Sequence, residues 1–494
     1  MEGAPISRPR RRRIDRAGSA GFFFAGMEDA QFASSRPKKQ AVLLIHGIGE
    51  QRPMATLWKL VEVVWLKAPL IAGAPERRVY SEPDEISGVF ELRRLSTNAN
   101  AQGKRTDFFE FYWAHLMEGT HWSEVFSWLV RLALRPRAVL PPNLHKPWRL
   151  LHLIAAAGLL VALLSMSTGA LAGAHGQIGA LIAILAAGTM LAALLAIANH
   201  MFFTPVLGDA ARYFRPSPRN VPCRQAIRQK GLELLEALHD SGKYDRIILV
   251  GHSLGGVIAY ELALLMWGKR NRETARPGPL QDAIVNAETA ARALCDAPDD
   301  PALFAAWREA QEGLGRALKR ERQDGKPLWL ISDLVTLGCP LGHAPTLMAD
   351  TPEDFRQALR RREFAACPPQ FEDFGEAGRR FSYCRRPADA ESGIATPRAL
   401  HNSAVFAAMR WSNIFFPVSG WVRGDFVGGP AAPVYGPGVA DVPAQTPREG
   451  GAFPHMDYFK TEADLDRPPS DLPDHRDALR AALDLERAPA EAEA

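Results

Sequence analysis

The sequence predicts an α/β protein: a mostly parallel sheet flanked by helices, interrupted by a two-helix transmembrane hairpin and by a helical insert. Three observations predict it. In the run "RIILV" (Arg246 to Val250) the four residues after the arginine are all aliphatic, as expected for a strand buried on both faces of a parallel sheet, and "VIAYELALLMW" follows at helical spacing. A second apolar run, "QAVLLIHGIGEQRP" from Gln40, ends in a tight glycine loop. Between Leu150 and Gly208 there is no Asp, Glu, Lys or Arg.

From the N-terminus, residues 1–38 form a basic tail expected to be disordered and solvated; the sharper reading is a polybasic contact with anionic lipid headgroups. Its apolar part, "GFFFAG", is too short for a secretory signal, which needs roughly 7 to 15 apolar residues. Over all 494 residues, 47 % are hydrophobic and 23 % charged, a globular balance, and the net charge of +4 is too small to indicate nucleic acid. The five cysteines, Cys223, Cys295, Cys339, Cys367 and Cys384, are scattered, odd in number and without a CxxC pair, which fits reduced thiols.

Residues 39–148 hold the first part of the α/β domain. In them, "TDFFEFYWAHLMEGTHW" reads as a strand running into an aromatic helix, and Trp113, Trp122 and Trp128 suit either a membrane interface or core packing. Residues 149–203 form the hairpin, two apolar runs of over 20 residues joined by "AHGQ", each long enough to cross a bilayer. Gly158, Gly169, Gly179 and Gly188 allow close packing of the pair. Arginines flank it on both sides (Arg131, Arg135 and Arg137 before; Arg212, Arg215 and Arg219 after), while the loop is uncharged. The expectation is an integral membrane protein with two spans and its folded domain in the cytoplasm.

Residues 204–470 complete the domain. Here "GHSLG" lies between strand and helix, the context of a nucleophile elbow, with Ser253 as nucleophile and Gly251 and Gly255 as the small neighbours a crowded turn demands. The backbone N–H groups of Leu254 and of Ile48 (or Gly49) are the expected oxyanion donors, and His46 is expected to hold its loop rather than to react.

Together "LLIHGIGEQ", "ILVGHSLGGVIA" and "LVTLGCPLG" resemble the α/β-hydrolase superfamily in its lipase and esterase branch, over about Lys39 to Phe459. Cys339 stands where that branch often has serine in T-x-G-S-P. The resemblance implies a catalytic histidine and acid after Ser253, in the order serine, acid, histidine. His343 comes directly after "GCPLG", His401 precedes what looks like a helix, and His475 sits in a charged, proline-rich stretch. His455, in "GGAFPHMDYF" with Tyr458 three positions on, resembles the family's histidine loop. Asp425, in "GDFVGG" after the strand-like "NIFFPV", resembles the family's acid turn; Asp441 is the runner-up, and Asp457 is too close to His455.

The helical insert at about 269–325 and the segment after "GCPLG" are each expected to be a solvated surface helix or a lid; residues 471–494 are expected to be a polar C-terminal tail. No metal-ligand or phosphate-loop pattern appears in the insert, and no cofactor is expected. The expected activity is hydrolysis of a carboxylic ester, with an acyl ester or lipid as substrate, the bilayer as partner and no nucleic acid. Thioester hydrolysis or acyl transfer with the same triad, and a non-catalytic membrane scaffold, are the alternatives.

Overall fold

A computed structural model describes residues 39–48, 52–69, 76–117, 213–214, 220–271, 277–375, 378–384, 397–419, 423–447, 454–462 and 470–487, with a few single residues at 140–156 and 218. The tail 1–38, nearly all of the segment 149–203 expected to form the hairpin, Trp122 and Trp128 lie outside them. Among the described residues no helix is long and apolar enough to cross a membrane.

Strand β1 (Lys39–Ile45) is followed by helix α1 (Ala55–Val61) and strands β2 (Val79–Pro83), β3 (Arg93–Thr97) and β4 (Arg105–Phe111). After residue 220 come α2 (Val221–Asp240), β5 (Tyr244–His252), α3 (Leu254–Arg270), α4 (Pro279–Asp296) and α5 (Pro301–Arg320). The chain closes with β6 (Ile331–Leu337), α6 (Pro352–Arg360), β7 (Arg410–Phe415), β8 (Ala440–Pro443) and α7 (His475–Leu483). One eight-stranded sheet results, in the order β8-β7-β6-β5-β1-β4-β3-β2. Neighbours from β8 to β4 are parallel, and β2 and β3 add an antiparallel edge.

The central strands are aliphatic because both faces of the sheet are covered. Leu43 and Ile45 of β1 pack with Leu234 and Leu235 of α2 and Val257 of α3. Val42 and Leu44, pointing the other way, pack with Leu57 and Leu60 of α1 and Leu479 and Leu483 of α7.

Several segments differ from expectation. Residues 475–483 are not a polar extension but an amphipathic helix, capped by Asp474, whose Leu479 and Leu483 are fully buried. The charges occupy its outer face, so a composition reading hides the apolar stripe. Insert 269–325 is the pair α4–α5, whose inner residues Ile284, Leu294, Trp307 and Leu314 belong to the main core. Helix α5 borders the N-terminal ends of β5 and β6, the end opposite Ser253, so it is not a lid. After His401 there is only a 3-10 turn, Val405–Ala407, because residues 404–409 are all buried and leave no polar face for a helix. The strand expected at "NIFFPV" starts earlier, at Arg410. Trp113 is a core residue, 1 % exposed and stacked on His46.

Candidate active site

Strand β5 ends at His252 and helix α3 starts at Leu254, so Ser253 alone makes the turn. Its backbone has φ 55° and ψ −128°, a conformation that costs a non-glycine residue about 1–3 kcal/mol. The neighbours enforce it. A Cβ on Gly255 would sit 2.1 Å from the Ile45 carbonyl oxygen, and one on Gly251 would sit 2.4 Å from Gly256 Cα. The sharp turn presses helix α3 against β1 and its own strand, and only hydrogen fits between them. The Ser253 N–H is tied to the Leu337 carbonyl at the end of β6 (2.9 Å).

The structure brings Ser253, His455 and Asp425 together. His455 Nε2 lies 2.9 Å from Ser253 Oγ, and His455 Nδ1 lies 2.9 Å from Asp425 Oδ2. His455 belongs to a one-turn 3-10 helix, Pro454–Phe459, and Asp425 to the loop after β7, whose N–H donates to the Phe416 carbonyl at 3.1 Å. All three therefore leave the C-terminal ends of parallel strands, where open α/β sheets place their sites.

Asp425 is 1 % exposed. Burial alone would raise its pKa. The His455 ring, the Tyr458 hydroxyl donating to Oδ2 (2.8 Å) and the Val427 N–H donating to Oδ1 (2.9 Å) outweigh burial and hold the carboxyl below its ordinary range. Asp425 is therefore a charged acceptor that fixes the His455 Nδ1–H tautomer and leaves Nε2 free to accept the Ser253 hydroxyl proton.

The other histidines hold backbone. Nε2–H of His343 donates to the Phe426 carbonyl (3.2 Å), that of His401 to Gln370 (3.1 Å) and that of His475 to Lys460 (2.9 Å). His46 donates from Nδ1 to the Gly47 carbonyl (2.7 Å) and accepts the Trp113 N–H at Nε2 (3.3 Å); burial lowers its pKa to about 4. It is a neutral loop clamp. Asp441 accepts from Asn413 (2.7 Å), Ala431 (2.9 Å) and Ala432 (2.8 Å), and so organises the turn beyond β7 rather than the histidine. Burial pushes the Cys339 thiol up to about 12, which removes it as a competing nucleophile.

One contributor, His252, was not singled out from the sequence, and a second, Tyr458, was named without its role. His252, immediately before the serine, donates from Nε2 to the carbonyl of His455 (2.9 Å) and so ties the histidine loop to the elbow strand. Burial and the neighbouring His455 lower its pKa to about 3, so it is neutral. Tyr458 does more than follow His455: its oxygen accepts the Phe416 N–H (3.1 Å) while its proton serves Asp425. A histidine closely following the aliphatic run Ile247–Val250 was the available signal for His252, since a buried imidazole needs a partner.

For the oxyanion donors, Leu254 is the first residue of α3, and its N–H has no intrahelical acceptor. Ile48 lies in the loop after β1, which abuts the elbow: a Cβ on Gly47 would meet Ser253 Cβ at 3.0 Å. Gly49 is outside the described residues. Among the described residues no group of His, Cys, Asp and Glu suits a metal ion. Compared with protein-family models, curated proteins and solved structures, the chain matches none.

Proposed function

We propose that this protein is a serine hydrolase of the α/β-hydrolase superfamily that cleaves carboxylic esters through an acyl-enzyme. The single observation that carries the reading is the relay Ser253 Oγ, His455 Nε2, His455 Nδ1 and Asp425 Oδ2, closed by two contacts of 2.9 Å at a strained strand-to-helix turn. In the proposed reaction His455 takes the Ser253 proton as Oγ attacks the acyl carbonyl. Asp425 stabilises the imidazolium, and the N–H groups of Leu254 and Ile48 receive the oxyanion. The imidazolium then protonates the leaving alcohol. Water, deprotonated by the same nitrogen, releases the acid.

Fluorophosphonate labelling tests this reading. Wild-type protein is expected to react at Ser253 and to hydrolyse a p-nitrophenyl acyl ester. Ser253→Ala and His455→Ala are each expected to lose on the order of 10⁶ in kcat, because the two groups act as a unit. A folded Ser253→Ala protein that still labels and hydrolyses overturns the reading.

The charge-free stretch between Leu150 and Gly208 supports membrane anchoring, and the arginines on both flanks support a cytoplasmic site. A site held at a bilayer meets acyl lipids, which makes lipid-derived esters the proposed substrate class. In intact cells, with the five native cysteines removed, His175→Cys is expected to react with an impermeant thiol reagent and Arg219→Cys is not. The opposite pattern inverts the proposed orientation.

A further inference from the structure

The segment that holds the charge-free stretch is fastened to the fold at one place. Strand β4 ends at Phe111, which pairs with Ile45 of β1, and Ile45 pairs with Gly251 of β5. Two strand spacings, about 10 Å, therefore separate Phe111 from the end of the elbow strand. The residues after Phe111 are tied to the loop that offers Ile48. Trp113 stacks on the His46 ring at 5.3 Å and donates from Nε1 to the His46 carbonyl (2.9 Å). Met117, also buried, ends this stretch, and residues 118–212 follow.

The return is fixed beside the departure. Tyr213 is buried and donates to Glu261 of α3, about 12 Å along the helix from Ser253. Arg228 of α2 donates to the same carboxylate at 2.7 and 3.0 Å. In the first turn of α2 the Cys223 thiol donates to the Leu116 carbonyl (3.1 Å), so α2 begins next to the point of departure. Both attachments of residues 118–212 thus lie at the C-terminal end of the sheet, the end that carries Ser253.

The surface at that end suits a bilayer. Three apolar side chains stand out from it: Trp58 in the first turn of α1 (42 % exposed), Val221 at the start of α2 (51 %) and Met456 beside His455 (59 %). Helix α1 belongs to this end because Met54, just before it, donates its N–H to Glu110 near the end of β4, and the helix packs on the histidine turn. Arg52 and Arg423 are exposed there, and Arg224 lies over the Tyr213 ring at 5.6 Å. None of these three arginines has a carboxylate within 4.0 Å among the described residues. Asp457, next to Met456, is neutralised by Lys460 (2.7 Å). Apolar side chains interspersed with unpaired guanidinium groups match a surface that meets anionic lipid, the former among acyl chains and the latter at headgroup phosphates. We propose that the C-terminal end of the sheet lies against an anionic bilayer, so that Ser253 opens onto the lipid and takes its acyl ester from the membrane phase. The substrate side of this inference rests on Ser253 being the nucleophile and the bilayer on the proposed spans; the orientation rests on where residues 118–212 attach.

Depth-dependent quenching tests the orientation without reference to catalysis. The full chain, with its five native cysteines replaced, carries a fluorophore at Val221→Cys, at Met456→Cys or at Lys243→Cys, the last just before β5 at the opposite end of the sheet. Each protein is reconstituted into vesicles of phosphatidylcholine and phosphatidylglycerol containing a doxyl-labelled phosphatidylcholine. The probes at 221 and 456 are expected to be quenched and the probe at 243 is not. Equal quenching at all three, quenching at 243 alone, or none at any position overturns the orientation. Fluorophosphonate labelling of Ser253 in the same samples reports separately on the hydrolase reading, so the two can fail independently. Should the cysteine-free chain not fold, Val221→Asp combined with Arg52→Glu tests the same face in the native background; an acidic residue is favourable at the first position of a helix, so α2 is expected to form. This pair is expected to slow hydrolysis of a long-chain ester in the anionic vesicles about tenfold or more, and to leave that of soluble p-nitrophenyl acetate within about twofold. Equal losses on both esters, or no loss on the vesicles, overturns the proposal.

Discussion

Replacing Asp425 by Asn tests the proposed relay at its least forgiving joint. The carboxylate uses both oxygens as acceptors: Oδ2 takes His455 Nδ1–H (2.9 Å) and the Tyr458 hydroxyl (2.8 Å), and Oδ1 takes the Val427 N–H (2.9 Å). An amide has one acceptor and must choose. With its NH₂ toward Val427, two donors face each other in a site that is 1 % exposed, at a cost of about 1–3 kcal/mol for each unpaired buried group. With its NH₂ toward His455, the Val427 bond survives and the Tyr458 hydroxyl rotates to accept. His455 Nδ1 must then be the acceptor, which puts the ring proton on Nε2, facing Ser253 Oγ, where it cannot take the serine proton. The second orientation leaves fewer buried groups unpaired and should prevail. The expected loss in kcat is on the order of 10⁴-fold, about 5.5 kcal/mol, with KM nearly unchanged because no binding group is lost. Steady-state hydrolysis of a p-nitrophenyl ester, with the near-ultraviolet dichroism of the variant matched to wild type, measures it. A folded Asp425→Asn protein within about tenfold of wild-type kcat refutes the tautomer argument.

Asp441→Asn is expected to keep kcat within about threefold of wild type but to lower the melting temperature, since Asp441 accepts from Asn413, Ala431 and Ala432 and not from His455; loss of activity without loss of stability would transfer the acid role to it. His252→Phe is expected to lower kcat about tenfold, the worth of one hydrogen bond of about 1.5 kcal/mol, and to slow fluorophosphonate labelling equally; an unchanged labelling rate would show that the His455 carbonyl needs no anchor. Glu110, buried beside the loop after β1, accepts the Met54 N–H at 2.6 Å, and burial raises its pKa from 4.5 to about 7. A folded pKa above the unfolded one means the stability is complete below the unfolded value and is lost as pH rises toward 7. The wild type should lose about 3 kcal/mol relative to Glu110→Gln between pH 4.5 and 7.5 in urea unfolding, and a pH-independent difference refutes this.

The catalytic candidates were legible because their chemistry constrains the backbone around them. Ser253 needs small neighbours at Gly251 and Gly255, which marked it from residue types, whereas Asp425 and His455, each in a glycine-containing loop, were found through the family resemblance, with Asp441 as runner-up to Asp425. Strands β1 and β5 were legible because burial on both faces removes polar residues. The antiparallel edge was not: "VYSEP" of β2 has no buried residue, and a strand without a buried face carries no period to detect. Helix α7 was hidden by its outward charges. The roles of His252 and Tyr458 were hidden because both depend on backbone partners distant in sequence, Tyr458 on Phe416 and His252 on the His455 carbonyl.

The pairing order of the sheet also bears on how the chain can be made. Strand β1 is flanked by β4 on one side and by β5 on the other, with Gln40 opposite Arg246 and Ile45 opposite Gly251. About 200 residues separate the two halves of that second pairing, so at 5–20 residues per second a ribosome needs about 10–40 s to deliver β5 after finishing β1. Throughout that interval an aliphatic strand, "AVLLI", has one edge without a partner, which is the arrangement that invites pairing with another chain. Arg246, buried in β5, then waits longer still, until Leu483 and Asp484 supply their carbonyls. A nascent chain halted before Tyr244 would hold β1 open on one side and should depend on a chaperone or on immediate degradation, whereas the completed chain buries that edge.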